Sequence, residues 1–212
     1  MSTEVRSAIP QNEDGVFEWD PSWDEVREYP IRIPCTEEEY LAIDVNLPLE
    51  YADSFLEVLP TPTIFHQLIL GFLCRELHAF VAARKLGTVV PAGYKVRIRP
   101  GKYREPAVLF ISSEHRSGIG KEFCKKADLV IEIVSERNRR HDLVTKRDEY
   151  AHAGIPEYWI VDPEEETITV YVLRPRKKSY IEHGVFHKDE RATSRILAGF
   201  SVDVTEALEQ RP

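Results

Sequence analysis

A single carboxylate interrupts the most apolar run of the chain, as Glu132 in the sequence Leu-Val-Ile-Glu-Ile-Val. A continuous apolar run of this length is typical of a strand buried on both faces. An ionised carboxylate is costly in such a strand unless a cation or hydrogen bonds hold it. Glu132 is therefore either half of a structural ion pair or a functional group, namely a metal ligand or a general base.

A lysine follows Glu132 fourteen positions later, as Lys146. The pattern predicts a helix that Asp142 caps and that ends near Gly154, so a residue on its first turns could return to the end of the preceding strand. Lys146 could pair with Glu132, or position a water nucleophile and stabilise negative charge on a phosphate. As a lone lysine on a helix it could equally be solvated.

Basic residues cluster in three places: residues 95–104 with five basic side chains, residues 137–147, and residues 174–178. The second cluster follows Glu132 in the sequence and extends into the start of the predicted helix. It would therefore lie at the edge of a site formed there. Lysine and arginine at such a rim hold phosphates without reading bases. The alternative is solvated loops and an exposed strand face, which we favour for 174–178. The residues taken as nucleic-acid contacts are Arg97, Arg137, Arg139 and Arg140.

The acidic excess lies at one end of the chain. The 212 residues carry a net charge of −8, and residues 1–40 hold 11 acidic and 3 basic side chains, so the remainder is neutral. Residues 1–35 are predicted to be an acidic arm that carries Trp19 and Trp23, and residues 36–212 a single domain. The arm could lie across the basic clusters and compete with nucleic acid, or serve a homodimer.

No targeting or membrane signal is visible. The apolar runs are shorter than a membrane-spanning segment, and no charged region followed by an apolar stretch opens the chain. The three cysteines form no Cys-x-x-Cys pair, so neither a disulfide scaffold nor a cysteine zinc site is expected. We expect a cytoplasmic protein that binds no membrane.

The elements that would position these residues are of mixed type. Thr36 with Glu39 forms a capping-box pattern, which predicts a short helix over 37–44. Thr63 is expected to cap a long helix that runs to about Lys85 and is closed by Gly87. Strands are predicted over 55–59, 88–98, 105–112, 128–135 and 157–162, followed by a hairpin of 167–173 with 179–182, and by a strand and short helix over 200–208.

The order of several stretches resembles the Uma-type restriction-endonuclease-like proteins of the PD-(D/E)xK nuclease superfamily. The matching stretches are Phe-Leu-Glu-Val-Leu-Pro-Thr-Pro-Thr with His66-Gln67, Arg-Glu-Pro-Ala at 104–107, Asp-Leu-Val-Ile-Glu-Ile-Val-Ser at 128–135, Asp-Leu-Val-Thr-Lys at 142–146 with Tyr150, and Ala-Gly-Ile-Pro-Glu-Tyr-Trp-Ile-Val-Asp at 153–162. The resemblance implies an α/β fold, a restriction-endonuclease-like mixed β-sheet flanked by helices. It also implies Mg²⁺- or Mn²⁺-dependent hydrolysis of phosphodiester bonds in DNA.

The resemblance also implies roles for particular residues. Glu132 matches the acidic residue of the second half-motif. Val134 stands where its basic residue would be, and Lys146 resembles the relocated replacement. His66 and Glu57 match polar positions near the site, so the implied catalytic set is Glu132, Lys146, His66 and position 107. The implied metal ligands are Glu132, Glu57 and position 107. A histidine at a helix start could also be structural.

Position 107 departs from the family pattern. The first half-motif should read Pro-Asp, but the chain reads Pro106-Ala107, and alanine offers no oxygen to a hard cation. Either the chain is a natural inactive member, or alanine replaces an acidic residue by design; because Glu132 and Lys146 survive, we favour replacement. In both cases the chain is expected to be inactive as it stands.

Two further readings stay open from the sequence. A non-catalytic nucleic-acid-binding or protein-interaction module could keep the same fold, and a metal-dependent phosphoesterase could act on something other than DNA. The second has no Gly-rich phosphate loop in its favour. A serine hydrolase is poorly supported, since no Gly-x-Ser-x-Gly occurs.

Overall fold

The computed structural model describes residues 30–45 and 47–210. Among these residues it contains fourteen strands and four helices. The strands are β1 Ile31–Pro34, β2 Leu49–Ala52, β3 Phe55–Val58, β4 Gly87–Pro91, β5 Lys95–Arg99, β6 Lys102–Arg104, β7 Val108–Ser112, β8 Phe123–Cys124, β9 Leu129–Ile133, β10 Glu157–Asp162, β11 Thr167–Arg174, β12 Ser179–His187, β13 Arg191–Thr193 and β14 Ser201–Asp203. The helices are α1 Glu37–Ala42, α2 Ile64–Arg84, α3 Arg147–Ala153 and α4 Val204–Leu208.

The strands form two six-stranded sheets and one two-stranded ribbon. The first sheet has the order β1-β3-β2-β6-β5-β8, and the second has the order β12-β11-β10-β9-β7-β4. In the second sheet β9 and β10 are parallel, while β7 and β11 flank them in antiparallel orientation. The predicted α/β class, a mixed sheet flanked by helices, is confirmed.

The central strand β9 is buried on both faces, as its sequence predicts. Leu129, Ile131 and Ile133 join the core beneath α2 and α4. Val130 joins a second core with Tyr150 of α3. Because side chains alternate along a strand, Glu132 shares the face of Val130 and is directed toward the α3 side of the sheet.

The long helix α2 begins and ends with local signals. Thr63 caps its first turn by accepting a hydrogen bond from the His66 backbone, as predicted. The helix ends at Lys85, which adopts a left-handed conformation with φ 56°. By length and composition α2 could cross a membrane. A core helix passes the same test, and α2 buries residues such as Leu73 and Leu77 against the second sheet.

Several boundaries differ from the sequence prediction. The single strand expected over 88–98 is two strands, β4 and β5, which belong to different sheets and are separated by a turn with Gly93 at φ 97°. Likewise 105–112 contributes only β7, because the chain crosses between the sheets at Glu105–Ala107. The domain also includes residues 31–34, which the predicted arm contained, since β1 pairs with β3. The rest of that arm, with Trp19 and Trp23, lies outside the described residues.

Gly87 does not close α2, in contrast to the prediction. It begins β4, where a Cβ atom would lie 2.1 Å from the carbonyl oxygen of Ile111 on β7. Glycine is required there by the close approach of two backbones, and the left-handed residue that ends the helix is Lys85.

We expect Gly87→Ala to lower the free energy of unfolding by about 1–3 kcal/mol, because the added methyl must push two strands apart. Gly71→Ala is the matched control, since it lies on the exposed face of α2 with no atom within 4 Å of a new Cβ. It should stabilise the protein by about 0.5–1 kcal/mol through helix propensity. Urea denaturation of both variants measures the difference, and equal effects would contradict this account of Gly87.

Candidate active site

One buried ammonium group joins three carboxylates in the interior of the domain. The Nζ atom of Lys146 lies 3.0 Å from Glu50 Oε1, 3.1 Å from Glu132 Oε1 and 3.2 Å from Asp142 Oδ1. Glu132 and Lys146 are 4 % and 2 % exposed. The pair that the sequence singled out is therefore in direct contact, and two further acids share the lysine.

The helix that carries Lys146 is wound unusually. Residues His141–Lys146 form a π-helical segment that continues into α3. Such segments occur often at functional sites. Asp142 was predicted to cap this helix; instead it is buried inside the segment, and its carboxylate binds Lys146 one turn later. Tyr150 of α3 donates a hydrogen bond of 2.7 Å to Glu132 Oε1 and fixes that carboxylate against the sheet.

A buried arginine holds the other side of Glu50. The register of β2 and β3 places Glu50 directly opposite Glu57, an arrangement that repels unless a cation intervenes. Arg104 supplies the cation: its Nη1 donates to Glu50 at 2.9 Å and also to Glu57. Its remaining nitrogens bind Glu149 at 2.6 and 2.9 Å. Glu57 is thus held by Arg104, and by Arg32 at 3.3 Å.

The three acids around Lys146 differ in how strongly their ionised form is stabilised. Burial raises the pKa of Glu50, but the positive charges of Lys146 and Arg104 outweigh it and hold that pKa well below its ordinary value. Burial raises the pKa of Glu132 to about 7, although Lys146 opposes the shift. It also raises the pKa of Asp142. The nearby positive charges therefore keep Glu50 ionised, whereas burial disfavours the ionised forms of Glu132 and Asp142.

A small cavity of about 90 Å³ opens beside this cluster. Glu132, Asp142 and Lys146 line it, and so do four residues from other elements, namely His66, Glu105, Ala107 and Asn138. Two buried polar atoms of these lining residues, His66 Nδ1 and Asn138 Oδ1, have no hydrogen-bond partner within the described part of the chain. Burial lowers the pKa of His66, so the ring is neutral at physiological pH.

A larger groove of about 740 Å³ adjoins the cavity. The two share the lining residues Pro60, Pro62, His66 and Ser135. Phe65 and Val134 give the groove an apolar wall. Its charged lining residues are Arg137 and Arg139 together with Glu136, Asp162 and Glu164. An extended ligand in the groove would therefore pass the mouth of the acidic cavity.

The structure brings four of the predicted site residues to one cavity, namely His66, Ala107, Glu132 and Lys146. Glu57 is not in its lining. Arg137 and Arg140 are exposed, whereas Arg139 is bound to Asp162 at 2.7 Å and lies near Glu164 and Glu165. Arg97 lies on β5 of the first sheet, with its guanidinium over the ring of Phe123.

Sequence reasoning missed Glu50, Asn138 and Glu105, and it gave Asp142 a different role. Asp142 and Lys146 are four residues apart, a spacing that already places two side chains on one helix face. Glu50 carries a weaker signal, a carboxylate within a short strand whose four residues are all buried. No sequence signal points to Asn138, because its contact with Asp142 depends on how the chain folds between them.

The chemistry of the donors around the cavity fits a divalent cation. Hard cations prefer oxygen ligands, and Glu132, Asp142 and Asn138, which carry side-chain oxygens, line this cavity. Another group, Glu50, Glu57 and His141, has ligand atoms within 4.8 Å of one another among the described residues. Arg104 binds both carboxylates of that group, as Lys146 binds Glu132 and Asp142.

Comparison with known proteins identifies relatives of this architecture. The family model described as "Uma2: Putative restriction endonuclease" matches residues 37–205. A crystal structure described as a "putative nuclease belonging to DUF820" from Anabaena variabilis superposes with a TM-score of 0.67. It is 19 % identical and covers 82 % of this chain and 98 % of its own, so the likeness concerns the fold. No curated protein matches.

Loss of the central cation should expose the repulsion between the acids. We expect Lys146→Met to lower the free energy of unfolding by about 3–5 kcal/mol at pH 8, because it leaves buried carboxylates uncompensated. At pH 5 the loss should be smaller. Glu132 and Asp142 have raised pKa values, so the folded state binds extra protons as the pH falls.

Urea denaturation at both pH values, in the presence of a chelator, measures this difference. The exposed Lys125→Met is the matched control and should be nearly neutral at either pH. An equal loss for Lys146→Met at pH 5 and pH 8 would show that packing, not charge, is the function of Lys146.

Proposed function

Because this chain belongs to the Uma2 family, whose description is "putative restriction endonuclease", we propose that it is a divalent-metal-dependent DNA endonuclease whose cleavage is weakened at residue 107. One observation carries the proposal. Glu132 and Lys146, from a strand and a helix, meet at 3.1 Å beside a cavity that opens into a groove with arginines in its wall.

The proposed metal is Mg²⁺ or Mn²⁺, held by the carboxylates of Glu132 and Asp142. When bound, such a cation lowers the pKa of a coordinated water and neutralises charge on a phosphate. Lys146 keeps its proton among the acids and contributes fixed positive charge beside the cavity. Burial lowers the pKa of His66 and favours its neutral ring. From the cavity lining, such a ring can accept a proton from a water.

Residue 107 is where the proposed activity is weakened. Ala107 lines the cavity, is 5 % exposed and packs with the apolar core beneath α2. Its methyl group offers no ligand in a place where the family resemblance implies a carboxylate. The same packing supports a second candidate, a non-catalytic nucleic-acid-binding module on the same fold.

We expect Ala107→Asp to raise metal-dependent DNA cleavage by orders of magnitude, since it supplies a second carboxylate for the metal. Nicking of a supercoiled plasmid with Mg²⁺ and with Mn²⁺ measures the gain. Adding Glu132→Gln to the same variant is the control and should abolish the gain. A variant that gains no cleavage with either metal, while the chain still binds DNA, would favour the binding module.

The groove is the proposed path of the nucleic acid. Arg137 lines the groove, and Arg140 follows three positions later; both are exposed, and neither has an ion pair among the described residues, whereas Arg139 pairs with Asp162. Phosphate contacts from such arginines position the backbone and carry no sequence information.

The double variant Arg137→Ala with Arg140→Ala should weaken DNA binding for all sequences alike. Each lost phosphate contact reduces the dependence of log affinity on log salt by about 0.9, so the slope should fall by about 2. Fluorescence anisotropy at several salt concentrations measures the slope. Arg174→Ala with Arg176→Ala removes the same charge from another exposed cluster. If both pairs changed the slope equally, the groove would have no special part in binding.

A further inference from the structure

Asn138 is held in one orientation by its neighbour. It ends the short 3₁₀ turn Glu136–Asn138 and is 5 % exposed. Its Nδ2 donates a hydrogen bond of 3.1 Å to Asp142 Oδ1. A carboxylate that also accepts from Lys146 requires a donor from the amide, so nitrogen and not oxygen must face Asp142. The carbonyl Oδ1 is therefore turned away from Asp142.

That carbonyl oxygen is buried without a partner. Oδ1 of Asn138 receives no hydrogen bond among the described residues, and the residue lines the cavity of about 90 Å³. A buried acceptor in this state has lost its hydrogen bonds to water without replacing them, so such atoms are rare unless something binds them. His66 lines the same cavity, and its Nδ1 also has no hydrogen-bond partner among the described residues. Because Asn138 Oδ1 is an acceptor, a ligand that satisfies it is positive or donates a hydrogen bond.

The carboxylates of the cavity identify the kind of ligand. Glu132 and Asp142 line the same cavity, and both pair with Lys146. Carboxylates together with an amide carbonyl form the oxygen set that hard divalent cations take. The cavity has room for a cation and a few waters.

We propose that Asn138 Oδ1 completes the divalent-cation site with Glu132 and Asp142, and so stands in for the oxygen that Ala107 does not provide. This inference rests on the proposed function, because it concerns the same cavity. It implies that the chain binds a divalent cation as it stands, without an acid at position 107. Asp142 then has two roles: it is a ligand of the cation, and it accepts the hydrogen bond that orients the Asn138 amide.

Isothermal titration calorimetry with Mn²⁺ on the full chain tests the assignment through two substitutions at one position. Asn138→Ala removes the oxygen and should weaken Mn²⁺ binding roughly 10- to 100-fold, in the range found when groups around a metal are lost. Asn138→Asp keeps an oxygen but removes the donor to Asp142, and it should bind Mn²⁺ as tightly as the unmodified chain or more tightly. Gln210→Ala, an amide outside the cavity lining, should leave binding unchanged.

Three results would overturn the assignment. They are no Mn²⁺ binding by the unmodified chain, equal binding by Asn138→Ala and the unmodified chain, and equal losses in both variants, which would assign Asn138 to the Asp142 hydrogen bond alone. Thermal unfolding in a chelator shows whether each variant is folded, and Asn138→Asp remains decisive if Asn138→Ala is not. The plasmid assay of Ala107→Asp is separate, so cleavage by that variant with unaltered Mn²⁺ binding by Asn138→Ala would reject this inference and keep the proposed function.

Discussion

The interior of this domain depends on the ammonium group of one lysine. Lys146 is buried and contacts Glu50 of the first sheet, Glu132 of the second sheet and Asp142 of its own helical segment. An ionised carboxylate without a partner is costly in an apolar interior, so each of these acids would otherwise be protonated or exposed to solvent. The two sheets and the π-helical segment can therefore pack together only with the lysine between them. A second cation, Arg104, repeats the arrangement on the far side of Glu50 and compensates the opposed pair Glu50 and Glu57.

The same arrangement does not stabilise the three acids equally. Lys146 and Arg104 hold Glu50 ionised, while burial raises the pKa values of Glu132 and Asp142. A group that is costly to ionise in a packed interior is often part of a functional site. Here Glu132, Asp142 and also Glu105, whose pKa burial raises to about 7, line one cavity, and the cavity adjoins a groove through His66 and Ser135. The acids whose ionised form is most costly therefore lie beside a cavity.

Residue 107 belongs both to the core and to the cavity. Ala107 lies where the chain passes from the first sheet to the second, and its methyl group belongs to the apolar core beneath α2. Glu132 and Asp142, which line the same cavity, both pair with Lys146. Asn138 lines it too, and its Oδ1 has no hydrogen-bond partner among the described residues.

The sequence alone predicted the central strand, the capping box of Thr36 and Glu39 at α1 and the Thr63 cap of α2, since buried strands and caps are local patterns. It also singled out Glu132 and Lys146, which the fold brings into contact. It also led to the family. Only the tertiary structure decided which acids share Lys146, because Glu50 and Asp142 reach it through a sheet register and a π-helical winding that no local pattern predicts. The tertiary structure likewise places residues 88–98 in two sheets and pairs Glu57 with Arg104. It also shows that Gly87 is needed where two strands approach closely. These outcomes depend on contacts between residues far apart in the chain, where burial and charge pairing outweigh local propensity.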